Sequence, residues 1–168
     1  EDLNIKAFFF VYTGVLSKKP ELLEVFRFFR INHFNDIDEF YNDFFLIVSK
    51  INRRFNEYFD LNEKLIKSKK KRFPFYTFND IKFRIVRDNL LGRNQYTEIM
   101  QGMFDKKKFK PESSYSHLFM NKSNIKKISE LGHSIGLHSH SHPTLFEKLT
   151  FKEQLNEYKE NYNILTKI

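Results

Sequence analysis

A chain of 168 residues, 40% hydrophobic and 17% aromatic with 21 phenylalanines, can bury the core of one domain and is too apolar to stay disordered. It has no cysteine, which excludes disulfides and thiolate metal sites. Its apolar runs fall well short of the roughly 20 residues of a transmembrane helix, so no membrane span is expected. With 29 basic against 21 acidic residues the net charge is +8, which admits nucleic acid or an anionic surface as partner.

In chain order, Ala7-Phe8-Phe9-Phe10-Val11-Tyr12 is a short continuous apolar run closed by Thr13-Gly14. It predicts a strand buried on both faces, as in a parallel sheet. Pro20-Glu21 opens a helix with Leu22, Leu23, Phe26 and Phe29 on one face. Asp36, followed by Glu39, has the form of an N-cap. One long helix is expected after it, because Phe40, Phe44, Ile47, Ile51, Phe55 and Tyr58 recur at helical spacing. These stripes read as packing faces. The basic runs Lys67–Arg72 and Lys106–Lys108 read as solvated segments between elements, and no nucleic-acid partner is expected from them.

Asp80 is in position to cap a helix over Ile81–Leu91 that ends at Gly92. Tyr96, Ile99, Met100 and Met103 suggest a further short helix, and Asp105 to Ser116 reads as a loop. Asn121 or Ser123 caps a helix through Ile125, Ile128 and Leu131, stopped by Gly132. A strand follows over Ser134–His138. Thr150 and Glu153 form a capping box, and the helix after it is expected to bury Phe151, Leu155, Tyr158, Tyr162 and Leu165. His33 and His117 read as structural or surface residues. With only five glycines, no nucleotide-binding fingerprint is present.

Four of the six histidines fall in Gly132-His133-Ser134-Ile135-Gly136-Leu137-His138-Ser139-His140-Ser141-His142-Pro143. Two imidazoles sharing a metal must each place a nitrogen about 2.0–2.1 Å from it. In an extended strand the Cα atoms of His138 and His142 would lie roughly 13 Å apart, at or past that reach. A helical turn after His138 would instead make them i, i+4 neighbours on one face. Pro143 favours such a turn, and His140 then points elsewhere. His138 and His142 are therefore the candidate metal pair.

The run from Glu130 to Pro143 resembles the second signature of the polysaccharide deacetylases (carbohydrate esterase family four), a Gly-His-x-Ile-Gly stretch followed by His-Ser-x-x-His-Pro. The resemblance implies that His138 and His142 bind a divalent metal, zinc being expected. Lys6-Ala7-Phe8-Phe9-Phe10-Val11 resembles the Phe-rich strand of the same family. The resemblance covers about the first 15 and the last 50 residues. It implies an α/β fold, a deformed, TIM-like (β/α) barrel, incomplete here, making 1–168 a single partial domain with a mostly helical insertion at about 20–111.

Thr77-Phe78-Asn79-Asp80 also resembles the family's first signature, Thr-Phe-Asp-Asp, with its first Asp changed to Asn. On that reading Asp80 would be a third ligand and Asn79 would replace the base. The family's order of motifs opposes it, placing the true first signature upstream of Glu1 and the general acid beyond Ile168. No catalytic residue is then assigned in this sequence, and residues 1–168 alone are expected to be inactive.

The implied activity is a metal-dependent hydrolase removing N-acetyl groups from amino sugars of a surface polysaccharide, a non-peptide C–N bond. The partner is an amino-sugar polysaccharide or oligosaccharide substrate. A bacterial cell-envelope pathway is implied, with a cytoplasmic location favoured although no sequence feature fixes the compartment. The alternatives are a catalytically degenerate relative acting as a sugar-binding or scaffold protein, and a basic nucleic-acid-binding helical protein.

Overall fold

In the computed structural model, residues 5–17, 21–143 and 145–168 are described. Pro20, the expected helix opener and start of the helical segment, lies outside them. The chain divides into two compact units, one formed by 1–25 with 111–168 and the other by 26–110. The boundary falls inside helix α1 (Leu22–Asn32).

The first unit contains a two-stranded parallel sheet. β1 (Phe8–Val11) pairs with β2 (Ser134–Leu137) in the register Phe8 with Ser134 through Val11 with Leu137. Parallel neighbours need a crossover connection, and here it is the whole chain between them. α7 (Tyr115–Leu118), α8 (Lys122–Glu130) and α9 (Phe151–Leu165) complete this unit. This is an α/β arrangement, but the expected barrel is not found among the described residues, whose sheet stops at two strands. Nor is the first strand buried on both faces, since Phe8 and Phe10 are exposed.

Two helix ends follow local chemistry. Asn121 caps α8 by accepting from Asn124 N at 2.9 Å, while Asn124 accepts in return from Asn121 N at 2.9 Å. At its other end Gly132, with φ +82°, takes the left-handed conformation that turns the chain directly into β2. At Gly136 a Cβ would sit 2.6 Å from Phe10 Cδ1, so a larger residue there must displace that ring.

The second unit is helical: α2 (Ile37–Ile51), α3 (Phe55–Leu61), α4 (Glu63–Arg72), α5 (Phe78–Ile85) and α6 (Gly92–Lys106). Its core is aromatic. Phe29 meets Phe104 at 4.6 Å between ring centroids, and Phe44 meets Phe83 at 5.0 Å, both edge to face. His33 stacks on Phe29, which gives it a packing role. A second cluster joins Ile66, Ile81 and Ile85 under Tyr58, Phe59 and Tyr76.

The expected long helix from Phe40 to Tyr58 is broken. It stops at Ile51, and Asn52 turns extended with φ −125° and ψ 103°. The Asn52 side chain accepts from Arg54 N at 3.0 Å, a local bond that competes with helix continuation. In α1, Phe26 and Phe29 are buried but Leu22 and Leu23 stay over a third exposed. The expected loop before α7 contains a 3-10 turn over Pro111–Ser114. No helix among the described residues is long and apolar enough to cross a membrane.

Candidate metal centre

β2 ends at Leu137 and delivers His138 to a sharply bent loop. The bend is not the helical turn expected from the sequence. Ser139 (φ 71°) and His142 (φ 54°) both adopt left-handed backbone, and between them the chain doubles back. His142 N donates to Ser139 Oγ at 3.2 Å across this turn. The result still brings the two rings together. The centroids of His138 and His142 lie 5.0 Å apart at 40° between planes.

Left-handed backbone at two non-glycine residues is unfavourable by itself, so the surroundings must hold it. α9 supplies the restraint with its polar side. Glu157 Oε2 accepts from His140 N at 2.8 Å and from Ser141 N at 2.7 Å, while its Oε1 accepts from Ser141 Oγ at 2.7 Å. Burial works against the Glu157 carboxylate, but bonds from Ser141 and His140 and the His140 charge outweigh it, and its pKa is lowered. One turn further, fully buried Asn161 accepts from His138 N at 3.1 Å and donates to Val11 O at 2.9 Å and Thr13 Oγ1 at 3.2 Å.

His140 is engaged elsewhere through both ring nitrogens. Nδ1 lies 3.0 Å from Thr13 Oγ1 and Nε2 lies 3.3 Å from Glu160 Oε1. Its carbonyl accepts from Gly14 N at 2.7 Å, tying the loop to the end of β1. His133 accepts from Ala7 N at 3.2 Å and meets Phe9 edge to face. Both are structural histidines.

The pair lines a small cleft of about 160 Å³ with Ser139, Pro143, Phe146 and Tyr158. Two larger grooves, one of about 590 Å³ between α8, β2 and α9 and one of about 970 Å³ beside α7, are lined by no histidine. Tyr12 stacks on His142 at 5.0 Å and 27°. Burial, with Glu21 and Glu24 adding to it, raises the Tyr12 pKa, so its ring is a neutral platform against the imidazole. His142 Nδ1 is buried and has no hydrogen-bond partner.

A buried imidazole nitrogen without a partner is costly, and the His138 ring lies 5.0 Å from that imidazole, centroid to centroid. An imidazole pair, one nitrogen buried on His142 and the other ring on exposed His138, offers donors of the type a divalent ion of the zinc class takes. The donor set is short, however. Among the described residues no group of three His, Cys, Asp or Glu side chains could hold an ion.

Asp80 is committed to its own helix. Its Oδ2 accepts from Thr77 N and Thr77 Oγ1, both at 3.0 Å, while Thr77 Oγ1 accepts from Asp80 N at 3.1 Å. Its Oδ1 accepts a hydrogen bond from the Tyr41 hydroxyl. Burial opposes the charged form of Asp80, but these bonds and the Arg30 charge hold its pKa below the ordinary value. Asn79 donates to Asp38 Oδ1 at 2.9 Å, so both residues of the first-signature lookalike serve helix ends.

Sequence reasoning missed Glu157 and Asn161. On a helix whose apolar stripe is Phe151, Leu155, Tyr158 and Tyr162, polar positions read as solvent-facing. The structure reverses this. That stripe is exposed, at 78% for Phe151 and 55% for Tyr162, and the polar side meets the loop. The available signal was Asn161 itself, a residue of modest helix propensity in mid-helix.

An α/β unit that holds two imidazoles on a bent loop at a strand's C-terminal end defines a candidate metal-site protein. The polysaccharide deacetylase family model matches residues 67–168, more than half of the chain, and the chain belongs to that family. The matched segment begins within α4 and runs through residues 77–80, α5 and α6 to α8, β2, the histidine loop and α9, so it takes in part of the segment expected as an insertion and leaves β1, expected to carry the resemblance, outside. No curated protein and no solved structure matches the chain.

Proposed function

We propose that the protein is a metal-dependent deacetylase that removes N-acetyl groups from amino sugars of a surface polysaccharide, with His138 and His142 as two of the metal's ligands. Family membership supports a hydrolase acting on a carbohydrate. The observation that carries the metal reading is the facing of the two rings at 5.0 Å, with His142 Nδ1 buried and without a partner. A divalent ion bound there would supply Lewis-acid polarisation of the acetyl carbonyl and a more acidic bound water.

The chain's own residues prepare the site. His138 and His142 provide the nitrogen donors. Asn161 fixes the backbone of His138, and Glu157 fixes the loop between the two. Tyr12 covers one face of His142. The fit is to zinc, though two imidazoles also suit cobalt, nickel or iron.

One observation favours a second reading. Among the described residues no third ligand accompanies the pair, as expected for a catalytically degenerate relative that binds sugar without cleaving it. Acetate release from an N-acetylated amino-sugar oligosaccharide, with and without a chelator, separates the two when measured on the intact gene product, since residues 1–168 alone are expected to be inactive on either reading. Chelator-sensitive release supports the deacetylase. Binding of the oligosaccharide by the metal-loaded protein without release supports the degenerate relative.

A further inference from the structure

The helix α4 distributes its charge unevenly. Ile66 is its one buried residue. At about 100° per residue, Lys64, Ser68, Lys71 and Arg72 fall on the side opposite Ile66, Leu65 and Lys67 lie on its two flanks, and Lys69 is on the Ile66 side. Glu63 pairs with Lys67 at 2.6 Å, and Lys70 Nζ donates to Pro74 O at 2.8 Å and Tyr76 O at 2.5 Å. Among the described residues no carboxylate pairs with Lys64, Lys69, Lys71 or Arg72. The helix dipole accounts for cations in the last turn, but not for Lys64 in the first.

The helix runs straight into Phe73-Pro74-Phe75-Tyr76, where three rings cluster. Phe75 lies 4.5 Å from Tyr76, Phe73 lies 5.9 Å from Tyr76, and Phe73 lies 6.2 Å from Phe75. Phe75 is 74% exposed, and Leu61, just before α4, is 82% exposed. The exposed Phe75 is unfavourable in water, and the unpaired cations just before it form an electrostatic footprint for an anionic surface.

We propose that the C-terminal end of α4, with Lys71, Arg72 and the exposed Phe75 just after them, is a docking surface for an anionic lipid bilayer. The cations would lie among the headgroups and Phe75 would enter the boundary between headgroups and acyl chains, as interfacial helices do. A soluble polyanion would satisfy the charge but offers no hydrocarbon to the exposed Phe75. Nucleic acid is also a poorer fit. The three rings meet at 52° to 73° rather than forming an open stacking platform, and the leucines cannot stack. This inference is independent of the metal pair and of the reaction.

The test is co-sedimentation of the full chain with vesicles of phosphatidylcholine alone or mixed with phosphatidylglycerol, at low and high salt. Binding is expected only to the anionic vesicles, weakening with salt. Each neutralised cation should lower partitioning about fivefold, so Lys71→Gln with Arg72→Gln should lower it roughly 25-fold. The chain has no tryptophan, so Phe75→Trp provides a single tryptophan at an exposed position, excited selectively over the eight tyrosines, and its emission should shift to the blue on binding. Failure to bind anionic vesicles at low salt overturns the proposal. So does binding with unshifted Phe75→Trp emission, or tighter binding to a single-stranded oligonucleotide or a heparin-like polysaccharide than to the vesicles.

Discussion

The backbone N–H of His138 donates to Asn161 Oδ1 at 3.1 Å, although the two residues are 23 positions apart. Through this bond the helix after the histidine loop, rather than the loop's own sequence, fixes where β2 ends. The same amide group reaches Val11 and Thr13 at the end of β1, so one buried side chain joins both strand ends.

Asn161→Ala should therefore leave the His138 N–H and the Val11 carbonyl unsatisfied in a buried place. The expected loss is about 2–4 kcal/mol of stability, read by urea or thermal unfolding. An unchanged unfolding midpoint would show that the network is incidental.

Glu157 gives the loop a pH dependence whose sign follows from its lowered pKa. A carboxylate whose folded value lies below its unfolded value contributes stability that is present above the unfolded pKa and is lost as pH falls through the folded one. The loop should thus be ordered at neutral pH and loosen in the acid range below about pH 4. Glu157→Gln should cost about 1–3 kcal/mol at pH 7 and flatten that acid limb. Histidine proton exchange or proteolysis of the loop measured against pH reads it, and a limb that persists in the variant would assign it to another group.

Gly136 and Phe10 should couple. A methyl at 136 must displace the Phe10 ring, which is exposed and able to swing, so Gly136→Ala should cost only about 1 kcal/mol. In the Phe10→Ala background that cost should vanish, and a double-mutant cycle measures the difference. Equal costs in both backgrounds would place the constraint in the backbone.

Asp80 separates a cap from a ligand. Asp80→Ala removes the acceptor for Tyr41 and half of a capping box, for an expected loss of about 1–3 kcal/mol. Zinc affinity should not change. A clear loss of metal binding in a variant that remains folded would restore Asp80 as a ligand.

Much of the local structure was legible in the sequence because it depends on neighbours within four residues. The caps at Asp36, Asn121 and Thr150 and the left-handed stop at Gly132 follow from such rules. The Phe-rich run and the segment before His138 form strands for the same reason. What failed depended on long-range context. Periodicity cannot register the one-residue break at Asn52, and an apolar stripe on α9 gives no sign of which side meets the loop. The histidine pair was legible from its spacing, but the means of bending was not. Two left-handed residues, with the two between them held by Glu157, replace the expected helical turn, and that restraint comes from a helix that begins only after the motif.

The central claim is that His138 and His142 share one ion, and zinc titration of the metal-free protein by calorimetry tests it most directly. The expected result is one zinc per chain, with His138→Ala and His142→Ala each weakening binding beyond the roughly 10–100-fold that loss of an outer-shell partner costs. Binding that survives either substitution, or that takes up several ions per chain, would contradict it.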